Sequence, residues 1–124
     1  VISKSITITH LGAETCVTGS CHLIRFQPDH GGCSIAILVD CGIAQGHDPQ
    51  VPFDQFPVPP AEIDFLFLTH AHIDHIGRVP DLIDAGFSDE DICTQGTKAL
   101  KNLANHTLNA YYCYKNPPNQ KYKL

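Results

Sequence analysis

The sequence predicts an α/β (α+β) chain on three observations. Up to Asp40 it runs in β-branched and apolar stretches separated by Gly, Pro and Asp. A further apolar run, Ile63-Asp64-Phe65-Leu66-Phe67-Leu68, leads directly into Thr69-His70-Ala71-His72-Ile73-Asp74-His75. Beyond that cluster, apolar residues recur at helical spacing.

Taken in order, Ser5 to Thr9 alternates polar and apolar β-branched residues, which suits a half-buried strand, and His10-Leu11-Gly12 then turns the chain. Cys16-Val17-Thr18 and Cys21 to Phe26 read as a second strand, and Gln27 to Gly32 is a turn. Ser34 to Val39 reads as a third strand, apolar on both faces and therefore central and covered on both sides. Five prolines between Gln45 and Pro60 forbid regular structure and predict a long ordered loop or partial helix. Ile63 to Thr69 is the fourth strand. Ile76, Val79, Leu82, Ile83 and Phe87 trace a helix with Gly86 near its end, and Ile92-Cys93-Thr94 is a short strand. A second helix starts near Thr97, with Leu100, Leu103, Ala104, Leu108, Tyr111 and Tyr112 on one face, and the Asn/Pro/Gln/Lys-rich residues from Lys115 onward predict disorder.

Composition narrows the function classes. The chain has 124 residues, 43% of them hydrophobic, enough for one domain with its own core. The net charge of −5 combines an acidic body with a basic tail, because all thirteen acidic residues lie at or before Asp91. Such a body does not offer the broad Lys/Arg face of a nonspecific nucleic-acid binder. Six cysteines without a C-x-x-C pair, most inside apolar stretches, predict buried thiols in a reducing, cytoplasmic setting. No secretory leader pattern is present, and no apolar run approaches the ~20 residues of a membrane span.

Three of eight histidines fall between His70 and His75, together with Asp74. Imidazole is the commonest side-chain metal ligand, and alternate residues of a strand face the same way, so His70 and His72 at a strand exit can reach one ion. Asp74 and His75 follow at the turn toward the helix, a natural place for a second. Two ions roughly 3.5–4 Å apart lower the pKa of a shared water and stabilise charge building on phosphorus or a carbonyl, which suits hydrolysis. Asp74 alternatively serves as a helix N-cap among surface histidines, and Asp40 as a cap on a turn. Gly42 reads as a turn glycine. His30, His47 and His106 read as ordinary loop or helix residues, as do His10 and His22, although these two flank the turn after the first strand and are the more interesting for it.

H-x-H-x-D-H after a hydrophobic strand resembles the metallo-β-lactamase-fold hydrolases. Leu11-Gly12-Ala13, Val17 to Ile24, Ile37 to Gly46, Thr69 to Pro80 and Gly86-Phe87 before Ile92-Cys93-Thr94 are similar to the β-CASP RNA-processing branch. The resemblance covers about residues 5 to 100 and implies the N-terminal half of an αββα sandwich, a mixed sheet with helices on one face; the domain is expected over residues 1–114, with 115–124 as a tail. It implies that His70 and His72 hold a first zinc ion and Asp74 and His75 a second; by ligand type, such His/carboxylate sites also accept iron or manganese. Asp40 would orient a ligand histidine, and Asp74 would also help position the attacking group. RNA is the implied substrate, and hydrolysis of the phosphodiester the implied activity.

The family's later ligands, supplied by the second half and closed over by a further domain, have no counterpart in these residues. The isolated chain is therefore expected to be weak or inactive, and an uncovered apolar sheet face invites self-association. Two other functions stay open: a non-catalytic zinc-binding module or subunit that completes its site with a partner, and hydrolysis of a small ester, lactam or thioester.

Overall fold

Strand β1 (Ser5–Gly12) pairs antiparallel with β2 (Cys21–Gln27), which pairs antiparallel with β3 (Ile35–Val39). In the computed structural model, which describes residues 5–28, 32–88, 90–93 and 95, the sheet then continues parallel through β4 (Phe65–Phe67) and β5 (Glu90–Ile92). The result is a mixed five-stranded sheet in the order β1-β2-β3-β4-β5. The expected second helix from Thr97, the tail, His30, His106 and Cys113 lie outside the described residues.

One face of the sheet builds the core. Leu23, Leu38 and Leu66 stand side by side across β2, β3 and β4, fully buried against Ile63, Ile76, Val79, Leu82 and Phe87. Each such side chain contributes about 1.5–3 kcal/mol by leaving water. The helical segment is two short pieces, α1 (Ile73–Ile76) and α2 (Val79–Asp84), which begins earlier than the spacing predicted and breaks at Gly77-Arg78. Pro80 in the first turn of α2 is tolerated because that turn needs no partner for its N–H. Ile83, expected on the buried face, is exposed.

The proline-rich loop is ordered as expected, with two 3-10 turns at Phe53–Gln55 and Pro60–Glu62 and with Phe56, Val58 and Pro60 buried. Arg78 pins it. Its guanidinium lies 4.1 Å from the Phe53 ring centroid and donates to the Val51 carbonyl at 3.0 Å, so a buried cation is held by a π face and a backbone oxygen.

Several sequence expectations are corrected. Cys16-Val17-Thr18 is a series of bends with Val17 exposed, while β1 extends through His10 and Leu11 and is exposed from Ser5 to Ile8 rather than half-buried. β4 is shorter than Ile63 to Thr69, and β5 starts two residues before Ile92. β3 is central but not covered on both sides: Ile35 is exposed and Ile37 and Val39 are only half-buried. The register aligns Ile8, Ile24, Ile37 and Phe65 in one row across that open face, with Ile6, Phe26 and Ile35 beside it. Two-sided apolarity signals a two-sided environment, and within the described residues only one side is supplied. Of the described cysteines, all free, Cys21 and Cys41 are buried, but Cys33 is exposed and Cys16 and Cys93 are intermediate. No described helix is long and apolar enough to cross a membrane.

Candidate metal centre

The candidate residues gather at the carboxyl ends of the adjacent parallel strands β3 and β4, the end of a parallel sheet where ligands usually sit. The Asp40 N–H donates to the Phe67 carbonyl at 2.8 Å, which carries the pairing one residue past β3 and sets Asp40 beside Thr69. Backbone bonds then fasten the His72–His75 turn from two sides. Ser20 N–H donates to the Asp74 carbonyl and Cys41 N–H to that of His75, both at 2.8 Å, while Gly42 N–H donates to the Ser20 carbonyl at 2.9 Å.

Gly42 is therefore not a turn glycine. A Cβ there would stand 1.6 Å from the Asp74 carbonyl oxygen, so the residue is needed for close approach of two backbones. Asp40 has a φ of 60°, the left-handed region that Asp and Asn tolerate better than other side chains.

Asp40 is only 2% exposed, and its carboxylate is fully engaged. It accepts from Thr69 N–H at 2.9 Å, from Thr69 Oγ1 at 2.8 Å, from Ser20 Oγ at 3.2 Å and from His75 Nδ1 at 2.7 Å. Of the sequence-level roles for Asp40, contact with a histidine of the cluster is what the geometry contains, and the histidine is His75.

The other cluster residues lie beyond the strand rather than in it. β4 ends at Phe67, and His72 occupies the extended position before α1, so the strand-alternation argument for His70 and His72 does not describe their backbone. Their rings are nevertheless neighbours, with centroids 4.7 Å apart, and His70 lies 3.8 Å from the His75 ring. Asp74 sits in the first turn of α1 without capping it, its Oδ2 3.5 Å from His75 Nε2. Among the described residues no three His, Cys, Asp or Glu side chains already form a group able to hold a metal ion. The cluster is assembled through pairwise contacts.

An extension of this network joins His10 and His22, whose contact the sequence did not foresee. His10 and His22 face one another across β1 and β2, Nδ1 to Nδ1 at 2.9 Å, and His22 Nε2 lies 3.4 Å from Ser20 Oγ. Burial lowers the His22 pKa, and the neighbouring His10 lowers it further. Behind Asp40, a hydrogen bond with Cys21 and then burial push the Cys41 thiol well above its ordinary value, so it remains protonated. On the outer loops, Asp48 accepts from the Thr18 hydroxyl and N–H, and Gln45 N–H donates to Thr18 Oγ1 at 2.8 Å, which ties the loop after β1 to the loop after β3. Those Thr18 hydrogen bonds lower the Asp48 pKa. His47 is an exposed loop residue, as expected.

Known proteins resemble this chain in the same region. Ribonuclease TTHA0252 from Thermus thermophilus is 38% identical over 96 residues, 77% of this chain and 21% of the relative. Transcription termination factor FttA from Methanosarcina mazei is 35% identical over 101 residues, 79% of this chain and 15% of the relative. Cleavage and polyadenylation specificity factor subunit 3-I from Arabidopsis thaliana is 32% identical over 100 residues, 79% and 14% respectively. The chain thus spans about a fifth or less of the length of these relatives. The metallo-beta-lactamase superfamily model matches residues 15–108, a stretch that contains Asp40, the whole histidine cluster and both fastening loops, and the chain belongs to that superfamily.

Proposed function

We propose that this chain carries the first part of a metal centre for phosphodiester hydrolysis in RNA, of the β-CASP type. His70 and His72 are directed to one zinc ion and Asp74 and His75 to a second. The observation that supports this most is the 2.7 Å contact between His75 Nδ1 and Asp40. An ionised carboxylate only accepts, so the proton it holds lies on Nδ1, and in that tautomer Nε2 is the nitrogen that offers its lone pair to a divalent cation. Nε2 lies 3.5 Å from the Asp74 carboxylate, so the two groups can serve one cation together. The donor set of three imidazoles and a carboxylate fits zinc and also suits iron or manganese.

When bound, divalent cations supply Lewis acidity toward a phosphoryl oxygen and lower the pKa of an attacking water. The chain's own residues do the rest of the preparation. Asp40 holds the Nδ1 proton of His75, and the partly exposed Asp74 carboxylate can orient the attacking group through a hydrogen bond. The relatives' names, a ribonuclease and a cleavage and polyadenylation factor, favour RNA over a small ester, lactam or thioester as the substrate. The free thiols suit a cytoplasmic setting.

The family's later donors have no counterpart in this chain, which spans about a fifth or less of its relatives, and these residues alone bind metal but turn over weakly or not at all. Elemental analysis of the purified chain after zinc loading, combined with cleavage of an end-labelled linear RNA, tests this. Bound zinc, lost in His72→Ala, with little cleavage, is the expected result. A wild-type chain that takes up no zinc, or a His72→Ala chain that takes up as much, overturns the metal reading. Robust cleavage by the isolated chain overturns its incompleteness.

The same incompleteness has a consequence for association. Ile6 and Ile8 are 68% and 57% exposed on the open sheet face, beside the row through Ile24, Ile37 and Phe65. Such a contiguous apolar patch drives association of the isolated chain. Sedimentation velocity is expected to show species larger than the 13.6 kDa monomer, reduced by Ile8→Lys; a monomer at every concentration contradicts this.

A further inference from the structure

Thr69 stands between the buried carboxylate and the first histidine of the cluster. Its Oγ1 lies 2.8 Å from Asp40 Oδ2 and 3.1 Å from His70 Nδ1. A hydroxyl has one proton to donate and two lone pairs to accept with. An ionised carboxylate has no proton to give, so at Asp40 the hydroxyl must be the donor, as it is to both carboxylate oxygens. The shorter contact takes the proton. Thr69 Oγ1 can then only accept from His70, so the His70 proton resides on Nδ1 and its Nε2 keeps the lone pair.

We infer that Thr69 is a positioning residue through which Asp40 sets the tautomer of His70 as well as that of His75. The inference rests on the metal-centre reading for its purpose, because those two histidines are directed to different ions. One buried carboxylate thus prepares a ligand for each ion, directly for His75 and through one hydroxyl for His70. The backbone reinforces the arrangement: the same Thr69 donates its N–H to Asp40 Oδ1 at 2.9 Å, and its hydroxyl also lies 3.0 Å from that oxygen. His72, at the N-terminal boundary of α1, has no such link among the described hydrogen bonds.

The tautomers can be read in the metal-free full chain by long-range ¹H–¹⁵N correlation at about pH 8. Signals are assigned with His70→Gln and His75→Gln. In the wild type, both His70 and His75 are expected as Nδ1–H forms. Thr69→Val, which keeps the shape and removes the hydroxyl, should release His70 toward the Nε2–H form and leave His75 unchanged, and Thr69→Ser should restore the wild-type pattern. Zinc affinity, measured by competition with a chelator, should fall about tenfold or more in Thr69→Val and recover in Thr69→Ser. An Nε2–H His70 in the wild type overturns the inference without any Thr69 variant, as does a Thr69→Val spectrum in which His70 is unaltered. If the tautomers are as expected but the wild type takes up no zinc, the positioning stands and the metal-centre reading fails.

Discussion

Replacing Gly42 by alanine is expected to destabilise the chain by about 3 kcal/mol, the upper end of what overpacking costs, and to abolish zinc uptake. The new methyl would fall 1.6 Å from the Asp74 carbonyl oxygen, 2.1 Å from its carbon and 2.7 Å from His75 N. All three are backbone atoms, so no rotamer change relieves the overlap. Either the strand end after β3 or the Asp74–His75 turn must retreat, and each retreat lengthens Ser20 N–H to Asp74 or Cys41 N–H to His75, the bonds that seat two candidate ligands. Denaturant unfolding with an unchanged slope measures the cost. Gly46→Ala is the control. Gly46 has a φ of 62° but nothing within 4 Å of an added Cβ, so only conformational strain of about 1 kcal/mol is expected there. Equal effects at the two positions would show that close approach is not what Gly42 provides.

Asp40→Ala should be comparably damaging for a different reason. It leaves the His75 ring N–H, the hydroxyls of Ser20 and Thr69 and the Thr69 N–H without their acceptor in a site only 2% exposed at Asp40. Each stranded buried donor costs about 1–3 kcal/mol, and with partial hydration and relaxation a total near 3 kcal/mol is expected. Asp40→Asn separates stability from wiring. Asparagine tolerates the φ of 60°, so the fold is largely kept, but its amide presents donors where donors already point. Stability should drop by about 1 kcal/mol, while zinc affinity falls by about 10–100-fold because the histidines lose their fixed tautomers. Unfolding midpoints and chelator competition on both variants provide the check. Asp40→Asn with wild-type zinc affinity would remove Asp40 from the metal centre and leave it a structural residue.

Much of this was legible along the chain. The alternation in Ser5–Thr9, the apolar run before Thr69 and the helical spacing after His75 mark local structure through periods a reader can count, and β1, β2, β3, β4 and the helical segment occur close to where those periods place them. The ends were harder to place. Cys16-Val17-Thr18 has β-type residues but forms bends, because its hydrogen-bonding groups go to Asp48 and the outer loop rather than to a neighbouring strand. The predicted single helix breaks at Gly77-Arg78, where the Arg78 N–H donates to the Cys41 carbonyl and its side chain turns to the Phe53 ring. Both departures are tertiary contacts overriding local propensity.

By itself, the order of residues determined the class of structure and the chemistry on offer: strands by alternation, a helical segment by its spacing, and a concentration of imidazole and carboxylate at one strand exit. The tertiary structure alone decided which groups meet. Asp40 finds His75 rather than another histidine, Thr69 bridges Asp40 to His70, His10 pairs with His22, and Gly42 lies against Asp74. The physical reason is that the His10–His22, Asp40–Thr69 and Asp40–His75 partners, 12, 29 and 35 residues apart, are set by strand register and by backbone bonds between loops. A shift of one residue in the pairing of β1 with β2 would turn His10 and His22 to opposite faces and end their contact.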